Sequence, residues 1–146
     1  MASAELLVVE DDPADLEMTL RALQELNLAN PVRIARDGVE ALEFIFGDAT
    51  GGGSLPAQVR LPRAILLDLK LPRLDGLEVL SRLKSHAQTR GIPVVVMTSS
   101  REGPDVQRAY ELGVNSYLCK PVDFAGFVDV IRKAGMYWMF LNETPH

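Results

Sequence analysis

Five short apolar segments alternate with longer segments in which apolar residues recur every three or four positions. The central apolar segment, Ala64–Leu67, is uninterrupted and leads directly into Asp68. A continuous apolar run is typical of a strand that is covered on both faces, as in a parallel sheet. We predict the other strands at Glu5–Val9, Val32–Arg36, Val94–Met97 and Asn115–Cys119. Val32–Arg36 alternates apolar with polar residues, which indicates an edge strand with one face in water.

The segments between the strands have the spacing of amphipathic helices. Leu16, Leu20 and Leu23 lie at such positions after Pro13, a residue that suits the first turn of a helix. We predict helices that begin at about Pro13, Gly38, Asp75, Gly103 and Asp123, the last continuing to about Phe140. Five strands that alternate with five helices predict a doubly wound α/β domain with a parallel sheet. Right-handed crossovers then bring the carboxyl ends of all the strands to one edge.

The composition fits a single folded domain at residues 1–146. We expect its core at about 5–133 and an extended C-terminal helix and tail at about 123–146. No apolar run reaches the roughly 18 residues that a membrane-spanning helix needs. Cys119 is the only cysteine, which excludes an internal disulfide and favours the reducing cytoplasm. The net charge is −5 and the basic residues are scattered singly, which argues against a nucleic-acid surface.

Polar residues follow four of the five predicted strands. They are Glu10 and Asp11 after the first strand, Asp68 after the third, Thr98 after the fourth and Lys120 after the fifth. Because these strand ends share one edge, three carboxylates, a hydroxyl and an amine come together there. Clustered carboxylates repel one another, and a hard divalent cation such as Mg²⁺ is their usual counter-charge. One carboxylate can then act as the nucleophile toward phosphorus, with the amine and the hydroxyl at the phosphoryl oxygens.

This arrangement resembles the receiver domains of two-component response regulators. The likeness extends over about Leu6–Lys133 and includes Pro72 and Gly76 after the central aspartate and Pro121 after the lysine. It implies a flavodoxin-like fold with strand order 2-1-3-4-5. It also implies a signalling phosphoacceptor rather than an enzyme that releases a product, with Asp68 phosphorylated by a partner histidine kinase in the presence of Mg²⁺.

The resemblance implies four protein ligands for the magnesium ion. Asp11 and Asp68 would belong to this set, with Asp11 in direct contact, and the backbone carbonyl of Lys70 would complete it. Glu10 stands where the family more often has an aspartate, and its additional methylene favours contact through water. The side chain of Lys70 is a second departure, because many receivers have a smaller polar residue there. A cation at this position can pair with the acidic cluster or steer the attacking water.

The resemblance assigns the remaining residues to the phosphoryl group and to a conformational switch. Thr98 and Lys120 would bind the phosphoryl oxygens. Tyr117 would turn inward when Thr98 moves toward the phosphoryl group, and the alternative is an edge-strand tyrosine with its hydroxyl in water. The peptide bond between Lys120 and Pro121 is expected to be cis.

A narrower likeness is to the single-domain regulators that serve phytochrome-type histidine kinases. The segments Val9–Asp15 and Asp37–Leu42 and the extended C-terminus carry it, and it implies a sensor histidine kinase as partner, with a phytochrome as one candidate. Near the C-terminus, Met136–Leu141 is apolar all round, which indicates an interface. We expect a homodimer through the fourth helix, the fifth strand and the last helix. A tail folded onto its own domain is the alternative.

Other functions are compatible with this fold class. The chain can be an intermediate of a phosphorelay or a phosphate sink. A phosphatase with an aspartyl nucleophile would need a second aspartate two residues on, where this chain has Lys70. A flavin-binding electron carrier would need a phosphate loop after the first strand, where Glu10–Asp12 would repel a phosphate. The glycine-rich segment Gly47–Leu61 lacks the context of a phosphate-binding loop and is predicted to be a mobile surface loop.

Overall fold

Five parallel strands form the centre of the molecule. The computed structural model describes residues 6–25, 31–47, 61–99, 103–114, 116–119, 123–126, 128–129 and 132–133. The strands are β1 (Leu6–Val9), β2 (Val32–Ala35), β3 (Ala64–Leu67), β4 (Val94–Thr98) and β5 (Ser116–Cys119). Their order in the sheet is β2-β1-β3-β4-β5, and every neighbouring pair is parallel. The predicted strand order and the parallel sheet are confirmed.

Helices connect the strands, as the spacing predicted. They are α1 (Pro13–Glu25), α2 (Gly38–Phe46), α3 (Gly76–Ser85) and α4 (Gly103–Glu111). The described residues after 123 are helical at 124–126, 128–129 and 132–133 and belong to a fifth helix, α5. The continuation of the last helix to about 140 and the loop at 48–60 lie outside the described residues. In the described part of the chain, no helix is both long and apolar enough to cross a bilayer.

Helices cover the sheet on both sides, which explains why the strands have unbroken apolar sequences. Leu7 and Val9 of β1 belong to a buried cluster that includes residues of α2 and α3, whereas Leu6 and Val8 belong to a second cluster with residues of α1. The same alternation continues along β3 and β4, because successive side chains of a strand point to opposite faces. On the edge strand β2, Arg33 is exposed.

Helix α3 begins in close contact with the end of β3. The Gly76 N–H donates to the Leu69 carbonyl at 3.0 Å. A Cβ atom at position 76 would overlap the Asp68 carbonyl oxygen and lie 2.6 Å from the Leu69 Cα. Asp75 caps the helix by accepting a hydrogen bond from the Glu78 N–H at 3.0 Å. Glycine at position 76 therefore lets the helix start directly against the backbone of Asp68.

We expect Gly76→Ala to destabilise the protein, because the new methyl group meets backbone atoms that cannot rotate away. The free energy of unfolding, measured by urea denaturation, should fall by about 1–3 kcal/mol. Gly91→Ala is the matched control, since a Cβ atom at position 91 has no neighbour within 4 Å. Equal stability of the two variants would contradict the close approach of α3 to β3.

Candidate functional site

Three carboxylates meet at the carboxyl edge of the sheet. Glu10 and Asp11 follow β1, Asp68 follows β3, and one oxygen from each lies within 4.8 Å of the others. The two strands bring them together because Val9 pairs with Leu67 and the Asp68 N–H donates to the Val9 carbonyl at 3.1 Å. Glu10 and Asp68 are buried, with 3% and 7% of their surface exposed, whereas Asp11 is exposed.

Backbone N–H groups orient two of these carboxylates. The Lys70 N–H donates to Asp68 Oδ1 at 3.0 Å, and the Asp12 N–H donates to Glu10 Oε2 at 3.3 Å. Three negative charges at this separation repel one another, and the repulsion is strong where water is partly excluded. The donor set consists of carboxylate oxygens, which are the ligands that hard cations such as Mg²⁺ prefer. The residues therefore fit a divalent cation bound at the cluster of Glu10, Asp11 and Asp68.

Thr98 lies at the same edge of the sheet. It is the last residue of β4 and is completely buried, and β4 is the neighbour of β3. Cys119 of β5 pairs with Thr98, so the chain reaches this edge again immediately before position 120. Tyr117 is partly buried on β5 and packs against the cluster that includes residues of α2 and α3.

The rest of the predicted site lies outside the described residues. This part includes Lys120, Pro121 and the peptide bond between them. The roles of the two residues and the cis form of the bond stay predictions. The apolar C-terminal segment 136–141 and the glycine-rich segment 51–53 also lie outside the described part of the chain.

The side chain of Lys70 forms an ion pair that the sequence pattern does not predict. Its Nζ lies 3.6 Å from Asp105 Oδ2, in the first turn of α4. Lys70 thus pairs with α4, and within the described residues no ion pair joins it to the acidic cluster. Its side chain is 61% exposed, and an exposed pair contributes only about 0–1 kcal/mol to stability. No spacing rule could have identified this contact, because the two residues lie on different elements.

A cavity of about 330 Å³ lies beside this ion pair. Its wall combines apolar and charged side chains from the β3–α3 loop, α3 and α4: Leu69, Lys70, Leu71, Asp75, Leu77 and Asp105. The loop that follows Asp68 therefore has an open surface on the side of α4, and a change in the position of α4 would alter this surface.

Comparison with known proteins gives a family match over most of the chain. The model of the response regulator receiver domain matches residues 6–132. The probable methanogenesis regulatory protein FilR2 of Methanothrix harundinacea is 40% identical over 140 residues, which cover 96% of this chain and 86% of FilR2. Response regulator Rcp1 of Synechocystis sp. is 35% identical over 140 residues, which cover 96% of this chain and 92% of Rcp1.

Several solved structures are similar along nearly their whole length. The phosphorylated cyanobacterial phytochrome response regulator RcpA has a TM-score of 0.83 and 31% identity, with 99% of each chain covered. The Mn²⁺-bound form of Rcp1 has a TM-score of 0.80 and 34% identity, with 98% of this chain and 97% of Rcp1 covered. The bacteriophytochrome response regulator AtBRR has a TM-score of 0.70 and 48% identity, with 93% of this chain and 95% of AtBRR covered.

We expect Glu10→Gln and Asp11→Asn each to weaken Mg²⁺ binding by about tenfold or more. Asp11→Asn removes the charge of a direct ligand, and Glu10→Gln removes the charge of a side chain that would contact the ion through water. Titration calorimetry with Mg²⁺, repeated with Mn²⁺, measures the effect. Asp12→Asn is the matched control, since Asp12 is exposed on the same loop and caps α1 through the Ala14 N–H at 3.3 Å. An effect of Asp12→Asn as large as that of Asp11→Asn would contradict the ligand set.

Proposed function

Because the chain belongs to the response regulator receiver domain family, we propose that it acts as a stand-alone response regulator with Asp68 as its phosphoacceptor. The observation that carries this proposal is the cluster at the sheet edge. Asp68 is buried there beside two further carboxylates, and the Lys70 N–H binds its Oδ1 atom. The product of phosphorylation is a conformational state of the protein, so the chain is a signalling protein and not an enzyme with a released product.

The proposed reaction transfers a phosphoryl group from a histidine of a sensor kinase. A carboxylate oxygen of Asp68 forms the bond to phosphorus while the bond between phosphorus and the imidazole nitrogen breaks, and the nitrogen keeps the electron pair. The Lys70 N–H binds Oδ1 and so restricts the orientation of the carboxylate. The Thr98 hydroxyl and the Lys120 ammonium group would donate to phosphoryl oxygens, where negative charge develops during transfer.

Magnesium, when bound, supplies positive charge that offsets the repulsion between the carboxylates and the phosphoryl oxygens. Glu10, Asp11, Asp68 and the backbone carbonyl of Lys70 are the residues that would hold it. The proximity of the three carboxylates supports this assignment, and so does the similarity to the Mn²⁺-bound form of Rcp1. Glu10 reaches the site from β1 with its Oε2 oriented by the Asp12 N–H.

The conformational change that follows phosphorylation of Asp68 would reach the surface through β4 and β5. Thr98 is buried at the end of β4, and Tyr117 lies on the neighbouring strand β5. In the proposed switch, Thr98 moves toward the phosphoryl group and Tyr117 turns into the space that this movement opens. The surface formed by α4, β5 and α5 would then change shape, because Tyr117 is partly buried against the hydrophobic core and its movement would change its exposure.

A sensor histidine kinase is the proposed partner, with a phytochrome as a candidate. The similarity to RcpA and AtBRR, which are phytochrome response regulators, supports a phytochrome as the kinase. FilR2 is also similar to this chain, but its name gives a role in methanogenesis regulation.

An intermediate of a phosphorelay and a phosphate sink are alternative functions within the same family. In the described residues, no observation favours a phosphatase or a flavin carrier. The cytoplasmic location and the lack of a nucleic-acid partner stay predictions.

We expect Asp68→Asn to abolish labelling by acetyl phosphate or by a cognate kinase in Mg²⁺, because an amide oxygen is a poor nucleophile toward phosphorus. Phosphate-affinity electrophoresis measures the labelling. Asp75→Asn is the matched control: Asp75 caps α3 seven residues later, and asparagine caps a helix about as well as aspartate. Full labelling of Asp68→Asn, or equal losses in both variants, would contradict the assignment.

We also propose a homodimer through α4, β5 and α5. Tyr110 on α4 is 54% exposed, which is the largest exposure of a large hydrophobic residue in the described part of the chain. Light scattering at micromolar concentration, with and without Mg²⁺ and beryllofluoride, should give a dimeric mass. Tyr110→Arg should shift the mass toward the monomer, whereas Glu78→Arg on α3 should not. A monomeric wild-type protein under both conditions would defeat this proposal.

A further inference from the structure

A bidentate ion pair joins the loop after β2 to the loop after β3. Arg73 Nε donates to Asp37 Oδ2 at 3.1 Å, and Arg73 Nη2 donates to Asp37 Oδ1 at 3.1 Å. The guanidinium and the carboxylate thus match in the two-point geometry that makes such pairs directional. The residues are 36 positions apart in sequence. We call this pair the loop clamp.

The backbone of Arg73 has an unfavourable conformation. Its φ angle is 64°, and it is the only residue other than glycine with a positive φ in the described part of the chain. The Leu74 N–H donates to the Pro72 carbonyl at 2.7 Å and closes a tight three-residue turn around Arg73. Glycine adopts such a turn easily, whereas a long side chain there is strained. A strained residue persists only where its surroundings hold it, and the clamp is such a contact.

The other half of the clamp is fixed to helix α2. Asp37 is the N-cap of α2, and its Oδ1 accepts a hydrogen bond from the Glu40 N–H at 2.7 Å. The next residue, Gly38, packs so closely on the β3–α3 loop that a Cβ atom there would lie 2.8 Å from the Leu74 Cβ. The start of α2 is therefore packed closely against the β3–α3 loop, and the clamp joins the turn at Arg73 to it.

The charges of the clamp are stable across the physiological pH range. Burial alone would raise the pKa of Asp37. The hydrogen bonds from Arg73 and from the backbone of Glu40, together with the charge of Arg73, outweigh burial and lower this pKa below its ordinary value. The hydrogen bond and the charge of Asp37 raise the pKa of Arg73. The lowered pKa of Asp37 and the raised pKa of Arg73 keep both groups ionised near neutral pH.

The loop held by the clamp is the one that starts at Asp68. The Lys70 N–H binds Asp68 Oδ1, and the Leu71 N–H donates to the Leu69 carbonyl at 3.2 Å. At the far end, the Gly76 N–H donates to the same carbonyl at 3.0 Å. The segment is thus fixed at its two ends by bonds near Asp68, and the clamp fixes its middle to a different part of the fold.

We propose that Asp37 and Arg73 are positioning residues that hold the β3–α3 loop so that the backbone of Lys70 stays in place beside Asp68. This proposal rests on the proposed function, because the position of Lys70 matters for phosphorylation of Asp68. The clamp touches neither the carboxylates nor the phosphoryl group and acts through the loop. Loss of the clamp would leave Asp68 in place and make its N–H partner mobile, and the rate of phosphorylation would fall.

Arg73→Gly tests the proposal because it removes the clamp and relieves the strain together. We expect the melting temperature to stay equal or rise, since glycine adopts the turn easily. Labelling by acetyl phosphate should nevertheless slow by about three- to tenfold, and Arg73→Lys should restore part of the rate. Asp37→Asn, which keeps the helix cap, should slow labelling similarly, and the double variant should be no slower than either single one.

Hydrogen exchange gives a readout that does not depend on phosphorylation. The amides of Lys70 and Leu71 should exchange faster in Arg73→Gly by about three- to tenfold, because the loop opens more often. Arg82→Gln is the matched control, since it removes the exposed pair of Arg82 with Glu78 on α3 and leaves the loop intact. It should change neither labelling nor the exchange of Lys70.

The outcomes separate this proposal from the proposed function. Unchanged labelling and unchanged exchange in Arg73→Gly would overturn the positioning role. The positioning role would also be overturned if Arg73→Gly lowered the melting temperature so far that unfolding explained all of the lost labelling, while exchange at Lys70 in the folded protein was unchanged. If wild-type Asp68 takes up no phosphate, the proposed function fails. Faster exchange at Lys70 in Arg73→Gly would then still support the mechanical role of the clamp.

Discussion

Repulsion between three carboxylates is the constraint on which the site depends. Glu10, Asp11 and Asp68 come within 4.8 Å of one another because β1 and β3 are parallel neighbours and end in register. Such a cluster is unfavourable unless a cation or a ring of hydrogen-bond donors offsets it. The fold supplies donors through the backbone N–H groups of Lys70 and Asp12, and the carboxylate oxygens suit a hard divalent cation. The acidic cluster is thus both a destabilising feature and the basis of the proposed chemistry.

The buried sheet gives this cluster a rigid base. Strands β1, β3 and β4 are buried on both faces, and Thr98 at the end of β4 has no exposed surface. Packed interiors do not deform continuously, so a small movement at the sheet edge passes to whole elements. The proposed switch depends on this property, because a movement of Thr98 would pass to Tyr117 on the neighbouring strand. A covalent change at Asp68 would in this way alter the shape of the surface.

The loop after Asp68 connects the site to two different helices. Its Lys70 side chain pairs with Asp105 on α4, and its Arg73 side chain pairs with Asp37 at the start of α2. The two contacts differ in strength, because the pair with Arg73 is bidentate and that with Lys70 is a single contact at 3.6 Å. The side chains of the loop therefore make more hydrogen bonds on the side of α2 than on the side of α4.

The sequence by itself determined the fold class, the strand order expected from the family and the convergence of Glu10, Asp11, Asp68 and Thr98 at one edge. It could do so because continuous apolar runs, helical spacing and polar residues at strand ends are local patterns that burial and chain direction impose. The Lys70–Asp105 pair, the Asp37–Arg73 pair and the packing of Gly38 on Leu74 were decided only by the tertiary structure. These contacts join residues about 35 positions apart. Their existence depends on how the loops lie against α2 and α4, which no periodicity in the chain encodes.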